Sequence, residues 1–165
     1  MMQRLTAVFA AFFVLASGGP ARASELEGYK DLKFGSTLQE VEAKGLYCEP
    51  RPTGGTCESS VFHGHSGETY VNDQTTVFGV PVVGVVAQFN EHQFLRSILV
   101  SVSEKSCSDM MNSIASTFGK GQQNANGSIS WAFEKSRLDL ILGSAYCSVT
   151  FASAELAKSP PSHNF

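Results

Sequence analysis

The sequence predicts an α+β domain: two short helices packed on one face of an antiparallel β-sheet and held by disulfide staples. Helix-type and strand-type patterns alternate as helix, strands, helix, strands, in meanders and without a βαβ repeat. Val80–Phe89 and Leu95–Ser103 flank a polar turn and read as a hairpin. Four cysteines follow an export signal, where paired thiols oxidise.

The export signal comes first along the chain. Met1–Arg4 carries one basic side chain, Leu5–Ala16 is apolar apart from Thr6, and Ser17–Ala23 is breaker-rich and ends in Ala-x-Ala. These are the parts of a signal peptide spanning residues 1–23, with cleavage expected after Ala23. The apolar run is 12 residues long, against the roughly 20 that span a bilayer. The expectation is a periplasmic or secreted protein with no stable membrane insertion after cleavage. Residues 24–154 then form one domain and residues 155–165, with Pro160-Pro161, a disordered tail.

Removing residues 1–23 takes Arg4 and Arg22 away, so 12 basic residues become 10 against 15 acidic ones and the net charge moves from −3 to −5. The remaining lysines and arginines are scattered. Such a surface argues against nucleic acid, whose binding rests on phosphate neutralisation, and offers anionic lipid no attraction.

Ser24–Lys33 is polar and reads as a loose lead-in. Ser36 with Gln39, and Thr37 with Glu40, are overlapping capping-box patterns that open a helix over Thr37–Lys44, stopped by Gly45. Cys48–Thr76 is the least regular stretch, with short strands expected near Cys57–His63 and Thr69–Asn72. Val80–Phe89 is β-branched and nearly continuous, as in a strand with little water on either face. Leu95–Ser103 alternates, with Ile98, Val100 and Val102 inward and Ser97, Ser101 and Ser103 outward. A second helix is capped by Ser106 with Asp109 at N3, carries Met111, Ile114, Ala115 and Phe118 on one face, and stops at Gly119. Lys120–Gly127 is a polar linker. Strands around Ile129, Trp131 and Phe133, around Leu138, Leu140 and Leu142, and around Cys147, Val149 and Phe151 close the domain.

Cys48, Cys57, Cys107 and Cys147 permit three pairings. Cys48–Cys57 with Cys107–Cys147 is favoured, because the first pair brackets the turn-rich EPRPTGGT segment. A four-cysteine metal site wants C-x₂₋₄-C spacing, and the separations here are 9, 50 and 40.

Phe34-Gly35-Ser36-Thr37-Leu38-Gln39-Glu40-Val41 resembles the G-x-S/T-x-x-E-V helix start of small exported BamE-like (SmpA/OmlA) and β-lactamase-inhibitor-protein-like domains. The Val82–Phe89 and Leu95–Val102 hairpin is similar to theirs. Thr117-Phe118-Gly119-Lys120 ahead of Trp131 resembles an L-x-x-x-Y/F-G-K pattern of uncharacterised periplasmic proteobacterial proteins. The likeness covers Leu32–Ser153 and implies short helices on an antiparallel sheet in an exported protein. BamE-type members are lipoproteins of the outer-membrane assembly machinery, and this chain lacks their lipid-bearing cysteine. The inhibitor protein has two tandem domains, and one cap motif stands here. Fold and compartment are therefore implied, and activity is not.

One cluster suggests metal chemistry. His63 and His65, two apart, share a strand face, and Glu68 lies close enough in sequence to complete a Zn²⁺ or Cu²⁺ site. The plainer reading is a solvated loop beside Gly64, Ser66 and Gly67. Gly64-His65-Ser66-Gly67 is not the G-x-S-x-G nucleophile elbow, and His92 and His163 lie in a turn and in the tail. Glu40 and Glu42 point to different helix faces, so they do not form a catalytic pair. Phe89, Phe118, Trp131, Phe133 and Phe151 follow core periodicities; Phe62, Tyr70, Phe78 and Phe94 are free to line a binding face. The sequence thus predicts a non-catalytic interaction module, adaptor or inhibitor-like, with no cofactor. Its expected partner is another periplasmic or envelope protein, docked on the sheet face or the Cys48–Cys57 loop. The alternative is a metal or small-ligand binder using His63, His65 and Glu68.

Overall fold

The computed structural model describes residues 25–52, 54–60 and 70–156. The expected signal peptide and everything beyond Leu156 lie outside the described residues. Within them the chain runs β1 (Gly28–Tyr29), β2 (Leu32–Lys33), α1 (Leu38–Glu42), β3 (Tyr47–Arg51), β4 (Gly54–Ser60), β5 (Thr76–Val77), β6 (Val80–Phe89) and β7 (Leu95–Ser103). It continues through α2 (Cys107–Phe118), β8 (Gln122–Gln123), β9 (Ile129–Ala132), β10 (Ser136–Leu142) and β11 (Tyr146–Ser153).

The main sheet is antiparallel throughout, in the order β3-β4-β6-β7-β11-β10-β9-β8, with β5 paired to β6. The two long strands of the expected hairpin, β6 and β7, hold its middle with β11 beside them. Alternate residues on these strands have no exposed surface: Val85 and Ala87, Ile98, Val100 and Val102, and Val149. Each such branched side chain contributes about 1.5–3 kcal/mol on burial. The α+β expectation holds in its coarse part only, because sheet dominates and helix is minor. The helices have five and twelve residues.

Both helices put side chains into the single core, through Val41 from α1 and Met110 and Ile114 from α2. The capping box at α1 forms on Thr37 and Glu40. The Thr37 backbone N–H donates to Glu40 Oε2 at 2.7 Å, and Thr37 Oγ1 accepts from the Glu40 backbone N–H at 3.3 Å. Ser36 is instead committed to the sheet, its carbonyl accepting from Leu95 N–H at 2.8 Å.

Several sequence expectations need correction. The lead-in is ordered as the β1–β2 hairpin, because Tyr29 and Leu32 bury their side chains in the core. The irregular stretch from Cys48 begins with a β3–β4 hairpin. Tyr70–Asn72 is irregular rather than a strand, although Tyr70 and Val71 are buried. The polar linker contains β8, paired to β9 through Gln122 and Gln123. On α2, Met110 and Ile114 are the fully buried pair, Met111 and Phe118 pack partly, and Ala115 is exposed. The buried stripe is the one that passes through Cys107, which a disulfide ties to the sheet. Ser106 sits at the N-cap without a side-chain bond, because a 3₁₀ turn over Glu104–Ser106 leads directly into the helix.

Both expected disulfides form. Cys48 and Cys57 are directly opposite each other on β3 and β4, with Cα atoms 4.0 Å apart. Cys107–Cys147 joins α2 to β11, with Cα atoms 5.6 Å apart. The aromatics assigned to the core are there. Phe78, left unassigned by the sequence, joins them: its ring lies 5.9 Å edge-on from Phe118 and 6.1 Å stacked on Phe151. Phe78 and Gly79 turn the β5–β6 hairpin with φ of 50° and 78°. Glycine adopts such a turn freely, whereas a phenylalanine there needs its ring contacts to hold it. Gly121 answers a different constraint, since a Cβ there would lie 2.7 Å from the Trp131 ring. Trp131 in turn donates its Nε1–H to the Gly119 carbonyl at 2.9 Å.

The sequence separations of 40 and 9 give the two staples different weights. By loop-closure entropy, Cys107→Ser/Cys147→Ser should lose about 4 kcal/mol of unfolding free energy and Cys48→Ser/Cys57→Ser about 3. Urea unfolding of the two double variants measures both, and a larger loss from the short loop would contradict the entropic account.

Candidate functional site

The core lies on one side of the sheet, and strand alternation leaves a second face pointing away from it. Among the described residues neither helix buries a side chain there. Register places three rows across this face. The central row is Glu58, Val86, Leu99, Thr150, Asp139 and Ser130, one residue each from β4, β6, β7, β11, β10 and β9. One flanking row is Ser60, Gly84, Ser101, Ser148 and Ile141, and the other is Thr56, Gln88, Ser97, Ala152, Arg137 and Ala132.

Short side chains dominate these rows, and β3 extends them at the sheet edge with Glu49 and the exposed Tyr47. Its polar groups are largely satisfied within it. Ser101 and Ser148 hydroxyls lie 3.0 Å apart, and Ser97 donates to Gln88 Oε1 at 3.0 Å. Ser130 and the Arg137 Nε–H each donate to the Asp139 carboxylate at 2.6 Å. The three rows hold no histidine, lysine or cysteine. The hydroxyls of these rows are committed to one another and to the Asp139 carboxylate.

Two depressions lie near this sheet. A groove of about 590 Å³, where the first and last described residues come together, is lined by Glu25, Glu27, Glu134 and Glu155 with Lys33 and Lys135, a mixed-charge wall. The second, about 200 Å³, sits at one corner of the open face, between Arg51, Thr56, Gln88 and Arg96.

The sequence-predicted site residues divide. His63, His65 and Glu68 lie outside the described residues, as does Phe62. Among the described residues no three His, Cys, Asp or Glu side chains converge as a metal site. The four cysteines are disulfide-bonded. His92 is exposed in the β6–β7 turn, 3.6 Å from Glu91. Of the aromatics offered for a binding face, Tyr70 and Phe78 pack into the core and Phe94 is exposed. The sequence pattern showed the outward serines of β7 but not the corner depression.

No known protein family matches the chain, and no curated protein or solved structure matches it significantly. Among the described residues no helix is long and apolar enough to cross a membrane.

The clearly displaced pKa values belong to structural contacts. The Ser136 hydroxyl, then the Lys135 and Glu134 backbone, hold the Glu25 carboxyl below its ordinary value; Glu25 Oε1 accepts from Ser136 Oγ at 2.7 Å and from Lys135 N–H at 2.8 Å. The Thr37 backbone and hydroxyl lower Glu40 in the same way. Burial pushes the Tyr29 hydroxyl up to about 12 while it donates to the Thr76 carbonyl at 2.8 Å. Burial, and after it the Asp31 charge, raise Tyr70 well above the usual phenol range. Among the described residues the buried Tyr70 hydroxyl meets no hydrogen-bond partner of regular geometry.

The directions of these shifts give stability an expected dependence on pH. A phenol raised from 10 to about 12 stabilises fully below pH 10 and loses that contribution as pH rises toward 12. Lowered carboxyls contribute above their ordinary 4.5 and lose it as pH falls below that value. Chemical denaturation against pH should therefore show a plateau with two falling arms. Tyr29→Phe is expected to make the alkaline arm shallower, Tyr70 keeping the remainder, and to lose about 1 kcal/mol on the plateau for its hydrogen bond. Glu25→Gln is expected to weaken the acid arm, and an unchanged acid arm would remove Glu25 from the account.

Proposed function

We propose that the chain is an exported, non-catalytic interaction module that docks an envelope protein along the open face of its sheet. The observation that carries this reading is that face itself: three registered rows of short, mutually hydrogen-bonded side chains with no covering helix among the described residues. Export is supported by the signal-peptide pattern of residues 1–23 and by two disulfides.

A rigid face suits recognition. The ordering cost of binding falls when the surface is already fixed in its bound shape. Here the open face is the reverse side of β6, β7 and β11, whose inward residues are buried, and disulfides tie one edge hairpin together and α2 to β11. Val86 and Leu99, half-buried at its centre, supply the apolar contact, with hydroxyls around them.

Crosslinked pull-down from an envelope fraction tests the reading when wild type is run beside Leu99→Arg and Ser101→Arg/Thr150→Arg. The expected result is a discrete partner captured by the wild type and lost from both face variants, with their unfolding midpoints little changed. Capture that survives in the folded variants, or no specific partner for the wild type, would overturn it.

A further inference from the structure

The corner depression of about 200 Å³ brings together two arginines from opposite ends of a four-strand stretch. Arg51 ends β3 and Arg96 lies in β7, with β4 and β6 between them. Their meeting depends on two backbone features. The β6–β7 register shifts between Gln88 and Phe89, pairing Gln88 with Ser97 and Phe89 with Leu95, so Arg96 is the extra residue of a β-bulge. Bulges re-aim a side chain out of the regular alternation. On the other side Gln93, held in the β6–β7 turn at φ 63°, donates its Nε2–H to the Arg51 carbonyl at 2.9 Å. That bond ties the two hairpin ends together and fixes the backbone that carries Arg51.

The charge at this corner opposes that of the protein. The full chain carries −3, yet the depression is lined by two guanidinium groups and no carboxylate. Arg96 has no ion-pair partner among the described residues. Arg51 lies 3.7 Å from Glu49, but both side chains are more than half exposed, and such pairs are weak and exchangeable. Of the remaining lining groups, the Thr56 hydroxyl and the Gln88 amide are hydrogen-bond formers that suit an anion, Gly54 and Gly55 bring backbone to the rim without side chains, and Phe89 completes the wall.

We propose that Arg51 and Arg96 form a carboxylate-binding corner that takes an acidic side chain of a peptide segment lying along the open face. The inference rests on the docking reading above and names the chemistry of the bound partner. Thr56 and Gln88 belong both to the depression and to a row of the open face, so a segment on that face reaches the corner without interruption. The volume is below the roughly 300 Å³ at which small-molecule sites begin and matches one side-chain head rather than a nucleotide. Guanidinium groups pair with carboxylates in a planar fork, so the corner fixes the register of the segment on the face.

The test uses the mature, disulfide-intact chain, isotope-labelled and titrated with hexaglutamate peptide at low ionic strength. The expected outcome is a set of amide shifts centred on Arg51, Gly55, Thr56, Gln88 and Arg96. Arg51→Gln/Arg96→Gln should weaken the affinity about tenfold or more, the scale of a lost charge-assisted contact. Arg51→Gln alone, at an exposed position, should give a partial loss. Equal affinity in wild type and the double variant, shifts centred elsewhere, or no shifts overturn the proposal. So does sodium sulfate binding at the corner as tightly as the peptide, which would make it a site for free anions. A double variant that no longer binds hexaglutamate but still captures the wild-type partner overturns the corner and leaves the docking face standing. A partner lost from both face variants but kept by the arginine double variant has the same meaning.

Discussion

The structure depends on one-sided burial by the three central strands, β6, β7 and β11. Their inward residues, from Val85 and Ala87 through Ile98, Val100 and Val102 to Val149, have no exposed surface. A strand's side chains alternate faces, so committing one set to the core commits the other set outward, and a one-residue slip would exchange them. Everything else attaches to that layer. The 35–37 segment bonds to Leu95 before α1 begins, α2 is tied to β11 by Cys107–Cys147, and the chain near Glu25 is fastened to the β10 start through Ser136. The helices cover the side that is already apolar, and the open face is what remains.

How far the sequence disclosed this follows from the range of the interactions involved. Val80–Phe89 and Leu95–Ser103 were legible to the residue because length, β-branching and alternation agree within each segment. The capping box was legible because its partners are three residues apart; choosing Thr37 over Ser36 took the bond from Leu95, 59 positions away from Ser36 in sequence, which no local pattern shows. The β1–β2 hairpin was hidden for a similar reason. Only Tyr29 and Leu32 mark it inside a polar run, and their burial comes from distant partners such as Phe151, whose ring lies 5.5 Å from Tyr29. The prolines and glycines of the β3–β4 segment suggested an irregular loop. They sit in a hairpin because the directly opposed Cys48 and Cys57 close it.

The candidate site divides along the same line. Alternation in Leu95–Ser103 already sent Ser97, Ser101 and Ser103 outward, which is half of the argument for an open serine-rich face. The corner with Arg51 and Arg96 had no local signal. It needs the order of four strands, a bulge that places Arg96 out of sequence alternation, and the bond from Gln93 to the Arg51 carbonyl. The scattered basic residues of the sequence hid a local reversal of charge that appears only in three dimensions.

Magnitudes explain why such a corner matters to a face of this kind. Six strands about 4.8 Å apart span roughly 24 Å, and three rows along the strands cover about 20 Å, an area on the order of 500 Å². Stable interfaces bury about 800 Å² on each partner, and burial converts poorly to affinity once ordering costs are counted. A face of short side chains whose hydroxyls already bond one another adds little discrimination between partners. Specificity then has to come from a few groups whose needs the face does not meet by itself. Asp139 is satisfied by Ser130 and Arg137, and Ser97 by Gln88. Glu58 and Arg96 are the charged groups on this side of the sheet that carry no ion pair among the described residues, and of the two Arg96 stands beside Arg51 in a recess. An acidic residue placed there gains two cations, whereas elsewhere the net negative chain repels it. The same face can therefore accept many shapes and still hold one charge pattern in one register.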